Sequence, residues 1–119
     1  MNKQVELNLL VIRSAQAARL AEFYSLLGVQ WEFHRHGSGP WHYSANCAGV
    51  VLEIYPLKKD SDQIDPSLRL GFRVKDLDDL LSKFQKRGIK IKVSAKQGSW
   101  GYRAVVEDIE GRSVELVEQ

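Results

Sequence analysis

The sequence predicts an α+β fold of two βαβββ modules whose curved sheets enclose a cavity, and three observations carry that prediction. A strand–helix–strand pattern is written twice within 119 residues. Corresponding landmarks keep nearly the same offset: Phe23 and Phe84 lie 61 residues apart, Gly28 and Gly88 60, and Glu53 and Glu115 62. Each half also ends in a β-rich segment with a carboxylate at its middle, Glu53 or Glu115, although carboxylates are poor strand formers.

Residues 5–12 are rich in β-branched and leucine side chains and predict the first strand. Ser14 is suited to cap the helix that follows over 17–27, and Gly28 to stop it. Leu20, Phe23, Tyr24 and Leu27 recur at helical spacing and form its buried stripe. Residues 29–35 alternate as a second strand, Gly37-Ser38-Gly39-Pro40 turns the chain, and 41–46 and 49–55 supply two more strands. A polar linker follows. The boundaries are module 1 at 1–56, linker at 57–66 and module 2 at 67–119, together one domain over 1–119. In module 2, residues 68–74 form a strand and Asp76 caps a helix over 77–87. Leu77, Leu80, Leu81 and Phe84 are its buried positions, and Gly88 is its stop. Residues 89–93 form a strand and 94–99 a loop. A hairpin closes the chain, with strands around 104–106 and 114–117 joined by a turn containing Asp108, Glu110 and Gly111. Alternation in the last strand points Val114 and Leu116 one way and Ser113, Glu115 and Val117 the other.

Composition narrows the function classes. A net charge of +2, scattered along the chain, does not describe a nucleic-acid surface. Cys47 is the only cysteine, which excludes an intramolecular disulfide and a cysteine-based zinc cluster. No stretch approaches the roughly 18 apolar residues of a membrane span, and the N-terminal residues lack the apolar run of a signal peptide. The expectation is a cytoplasmic protein with neither nucleic acid nor membrane as a partner.

Three segments carry a family resemblance: Glu22-Phe23-Tyr24-Ser25-Leu26-Leu27-Gly28, Phe72-Arg73-Val74-Lys75-Asp76, and residues 107–116, EDIEGRSVEL. The last is similar to a "DPDG…EL" signature, with Ile109 where proline is usual. Nearly the whole chain resembles the vicinal oxygen chelate superfamily of glyoxalase I, bleomycin-resistance proteins and extradiol dioxygenases. Residues 36–43 with 53–56 resemble a bacterial branch of it. The resemblance implies a small-molecule ligand and a homodimer. It also implies four metal-ligand positions, one on the first and one on the fourth strand of each module. Glu53 and Glu115 match the two glutamates. The histidine positions fall at Asn8, or Leu9 if the register slips by one, and at Arg69. Arginine offers only donors and cannot coordinate, and asparagine is a weak ligand. The expectation is therefore no bound metal, with a divalent metal as the alternative.

The residues expected to meet a ligand are Asn8, His42, Tyr43, Glu53, Tyr55, Arg69, Trp100, Arg103 and Glu115. The glutamates are suited to orient a polar or cationic ligand, or to pair with Arg69 and Arg103. Trp31, Phe33, Trp41, Tyr43, Tyr55, Trp100 and Tyr102 are aromatic enough to line an apolar pocket, or to build a core and a subunit interface. Gly98-Ser99-Trp100-Gly101 reads as a mobile rim. His34 and His36 share a strand face, a chelating geometry, but sit in a hairpin expected to face solvent, whereas His42 is better placed as a ligand contact or general base. Cys47 reads as a small buried hydrophobe. Three functions follow: a metal-free binding protein of the bleomycin-resistance type, which is favoured; a metal-dependent lyase, isomerase or dioxygenase with an atypical ligand set; and a metal-free enzyme using Glu53 or Glu115 as general base with Arg69 as electrostatic stabiliser. No catalytic residue is assigned.

Overall fold

Two amphipathic helices and eight strands form in the computed structural model, which describes residues 4–58 and 63–119. Residues 1–3 and the middle of the expected linker, 59–62, lie outside the described residues. In chain order the elements are β1 (Leu9–Ser14), α1 (Ala17–Ser25), β2 (Glu32–His34), β3 (His42–Cys47), β4 (Val50–Pro56), β5 (Leu70–Val74), α2 (Leu77–Lys86), β6 (Ile91–Gly98), β7 (Gly101–Glu107) and β8 (Ser113–Glu118). They build two mixed four-stranded sheets of the same connectivity, β1-β4-β3-β2 and β5-β8-β7-β6, neither of which closes into a barrel. In each sheet the first and fourth strands of the module pair in parallel and the other pairs are antiparallel. Among the described residues no helix is long and apolar enough to cross a membrane.

Period-2 alternation sorts each strand's side chains onto two faces. Ile54 on β4, and Val114 and Leu116 on β8, are buried in one core with the helix residues, and Leu52 is buried on the same face as Ile54, which leaves Glu53 and Glu115 on the opposite faces. α2 buries the expected Leu77, Leu80, Leu81 and Phe84, and α1 buries Leu20, Phe23 and Tyr24, whereas Leu27, expected in the same stripe, lies beyond the end of α1 and is half-buried. Both stripes belong to one core. Phe23 stacks on Phe84 with ring centroids 5.6 Å apart, and Tyr24 reaches Phe72 of β5 at 5.7 Å.

The β7–β8 turn adds a polar clasp between modules. Arg112 is 1% exposed and donates to the Arg13 carbonyl at 2.7 Å, at the end of β1. Its other terminal nitrogen contacts Asp108 at 3.3 Å and Glu110 at 3.2 Å. Tyr24 donates to Asp108 at 2.8 Å, and Glu110 accepts the Ala15 N–H at 2.8 Å.

Several boundaries differ from expectation. β1 begins at Leu9, so residues 5–8 precede the ladder; only the Asn8 carbonyl joins it, accepting the Val51 N–H at 2.8 Å. α1 stops at Ser25, because its last residues close as i→i+3 turns before Gly28 takes a positive φ of 111°. β2 keeps only three residues. β6 runs on to Gly98 through register shifts, so the expected loop at 94–99 is mostly strand. Neither expected cap uses its own side chain in the expected way. The Ser14 hydroxyl accepts the Gln16 N–H at 2.9 Å, just before α1. Asp76 occupies the N-cap of α2 in a left-handed conformation, and the Leu77 N–H is taken by Glu118 of β8 at 3.0 Å.

Candidate functional site

The strand registers decide which residues share a face with the two glutamates. Val11 pairs with Glu53 and Gly71 with Glu115. Two residues before Val11 and Gly71 stand Leu9, the first residue of β1, and Arg69, just ahead of β5, so the position equivalent to Arg69 is Leu9 rather than Asn8. Asn8 is exposed and precedes the strand. The four-ligand metal position implied by the family resemblance would here consist of Leu9, Glu53, Arg69 and Glu115. One member has no donor atom and another is a permanent cation. A catalytic metal ordinarily takes three or more protein ligands, so these residues do not fit a metal.

Asn8 and Tyr43 apart, the expected residues separate into two groups, and no hydrogen bond or ion pair joins them among the described residues. The first lies on the open face of sheet 1. His42 is 1% exposed. Its ring stacks on Tyr55 with centroids 4.1 Å apart, and the Tyr55 hydroxyl is 3.3 Å from Nε2. Glu53 Oε2 is 3.7 Å from the same nitrogen, and the Arg13 guanidinium lies over the Tyr55 ring at 5.0 Å. Nδ1 of His42 is 3.1 Å from the Pro40 carbonyl. A carbonyl only accepts, so Nδ1 carries the hydrogen and Nε2 presents its lone pair. His34 pairs with His42 across β2 and β3, and His34, His36 and His42 hold one ring nitrogen each within 4.8 Å of one another. The expected solvent-facing hairpin is thus anchored by a buried histidine.

The second group surrounds a cavity of about 620 Å³ in sheet 2, lined by Gly71, Phe72, Arg73, Trp100, Arg103, Glu115 and Val117. Glu115 is paired with Arg103, and Arg69 approaches it at 3.8 Å. The glutamates therefore have different partners: arginines hold Glu115, whereas Glu53 faces His42. Trp100 is 79% exposed at the tip of the β6–β7 hairpin. That tip is a two-residue turn, with Gly98 paired to Gly101. Gly101 has φ of 105°, and a Cβ there would meet Val117 at 3.2 Å.

Tyr43 points to the other face of sheet 1, pairing with Ile54 and packing on Phe33 and Trp31 at 4.7 and 6.3 Å. It therefore does not share the sheet face of His42, Glu53 and Tyr55. Trp31 donates to the Ala21 carbonyl, Phe33 stacks on Trp41, and Tyr102 bonds Asp78. Of the seven aromatics expected around the pocket, only Tyr55 and Trp100 stand with the polar candidates, and the cavity carries Arg73 and Arg103 beside the rings of Phe72 and Trp100. Cys47 is half-buried, and burial pushes its thiol pKa up, which suits a packed thiol and not a nucleophile. Arg73 is absent from the residues expected from the sequence; the available signal is its position four residues after Arg69, which the strand expected over 68–74 would place on the same face.

The comparisons agree with this architecture. The family model of the glyoxalase/bleomycin resistance protein/dioxygenase superfamily matches residues 6–116, and the chain belongs to that superfamily. No curated protein sequence matches the chain. Among solved structures, the oxidase ChaP-H2 superposes with a TM-score of 0.76 at 19% identity, covering 98% of this chain and 95% of that one. TnmS3, an antibiotic-binding protein from Streptomyces sp. CB03234, gives 0.74 at 19% identity over 99% and 98%. An integron cassette protein from the mobile metagenome of V. cholerae gives 0.72 at 19% identity over 99% and 98%. These likenesses are in fold.

Proposed function

We propose that this protein binds a small anionic, planar organic molecule in the cavity beside β8, with no metal at the inherited four-ligand position. The carrying observation is the lining of that cavity. Arg73, Arg103 and the nearby Arg69 outnumber the single carboxylate of Glu115, which is already paired. The surplus charge favours a carboxylate or phenolate ligand, not the cation that two free glutamates would have selected. Trp100 supplies an exposed ring at the rim on which a planar group can stack. The antibiotic-binding neighbour supports the same class of function by analogy of fold alone.

The site is further read as completed by a second subunit. Each sheet is open, and Leu9, Val11, Val93 and Trp100 leave large apolar side chains in solvent. A homodimer would place such surfaces against one another, bringing the face of His42 and Glu53 from one protomer toward the arginine-lined cavity of its partner. The two modules are read as copies of one ancestral unit.

The test is fluorescence titration with planar aromatic acids and their neutral amides. The acids are expected to quench tryptophan emission saturably, Trp100→Phe to remove most of the change, and Arg103→Ala to weaken binding at least about tenfold, the loss of one charge-assisted contact. Equal binding of acid and amide, or acid affinity unaltered by Arg103→Ala, would overturn this reading.

A further inference from the structure

We propose that His34, His36 and His42 form a binding site for a borderline divalent transition ion such as Zn²⁺ or Ni²⁺, separate from the four-ligand position the fold inherits. One ring nitrogen from each lies within 4.8 Å of the others, and the ring centroids are 4.7 to 5.3 Å apart. Nitrogens around a tetrahedral zinc stand about 3.4 Å apart, given Zn–N bonds of roughly 2.0–2.1 Å. The nitrogens must close by up to about 1.4 Å, and His34 is half-buried and His36 exposed, so neither ring is enclosed by the core.

The chemistry of the donor set selects the metal. Three imidazoles suit zinc, nickel, copper or cobalt and do not suit magnesium or calcium, which take oxygen ligands. His42 is the built part of the site. It is buried, its ring is clamped by stacking on Tyr55, and its Nδ1–H is directed at the Pro40 carbonyl. Metal-bound histidines are ordinarily oriented by this kind of outer contact, which fixes the tautomer and leaves the other nitrogen to ligate. Packing gives the cluster little reason to exist, since two of its three rings are not buried.

The experiment is zinc titration of the tag-free full chain by calorimetry, with Mg²⁺ as a control. The expected result is one Zn²⁺ per chain with Kd below about 1 µM and no response to Mg²⁺. His36→Ala, at an exposed position whose loss leaves the fold intact by circular dichroism, is expected to weaken binding at least about 100-fold. Glu115→Gln, which alters only the inherited position, is expected to leave zinc affinity within about twofold. Absence of zinc binding in the parent, or zinc binding that survives His36→Ala, would overturn the proposal. Zinc binding lost on Glu115→Gln would overturn it too and would return the metal to the inherited position. The titration with aromatic acids is independent of all these outcomes.

Discussion

Arg112 spends its charge on a buried turn. Replacing it with methionine keeps much of the volume but leaves Asp108 and Glu110 without their cation and the Arg13 carbonyl without its donor. Breaking a buried pair from one side costs about 3–5 kcal/mol, so Arg112→Met is expected to lower the urea midpoint sharply without changing the slope. Tyr24 shares the cluster and gives it a pH signature. Burial first, and then the Asp108 carboxylate, raise the Tyr24 pKa well above the usual phenol range. A group whose folded pKa exceeds its unfolded value near ~10 contributes fully below that pH and progressively less above it. The stability gap between the parent and Tyr24→Phe should therefore stay level from about pH 7 to 9 and shrink above about pH 10, as followed by denaturant unfolding. A level gap to pH 11 or so would deny the shift. Neither residue was legible as a structural centre in the sequence. The turn was recognised from Asp108, Glu110 and Gly111, but a surface turn and a buried clasp have the same local composition. The difference is made by the Arg13 carbonyl, 99 residues away.

The elements were legible where local chemistry decides them and illegible where tertiary contacts do. Both helices declared themselves through apolar side chains at helical spacing and a glycine stop. Phe84 is fully buried against Phe23, and Phe84→Ala is expected to cost about 3–5 kcal/mol in a thermal or denaturant melt. The start of α2 was only half legible: Asp76 marks the place, but the acceptor for the Leu77 N–H comes from Glu118, 41 residues on. Glu118→Ala should therefore cost about 1 kcal/mol, whereas Asp76→Asn should cost little, since no Asp76 side-chain cap bond is present. β6 was underestimated because Ser94, Lys96 and Gln97 have no strong strand preference, and pairing with β7 carries them. The histidines show the same limit. Their spacing placed His34 and His36 on one face, but the burial of His42 depends on Tyr55 from the next strand, which no reading of residues 34–42 contains.

Across the whole molecule, extents of 48 × 46 × 24 Å describe a slab whose two sheets remain open. Closing them with a second copy predicts a dimer of about twice the 13.5 kDa chain in sedimentation equilibrium at micromolar concentration. A single 13.5 kDa species would refute it. Charges introduced at Val11 and Val93, which are 38% and 43% exposed, are expected to shift the equilibrium toward monomer and weaken ligand binding together. The two-module plan is readable because the same spacing recurs, whereas the proposed closure by a second subunit is not written in any periodicity.

The clasp at Arg112 has a consequence for how the chain can be divided. Arg112 and Glu110 grip the corner between β1 and α1, and the stacked phenylalanines bind the helices across the same seam. Neither half then presents a finished interior of its own. Two polypeptides ending and beginning within residues 59–62 should accordingly be poorly folded when produced alone. Mixed, they should find each other and restore the parent's spectrum and ligand affinity, making the connector a natural place for a split reporter.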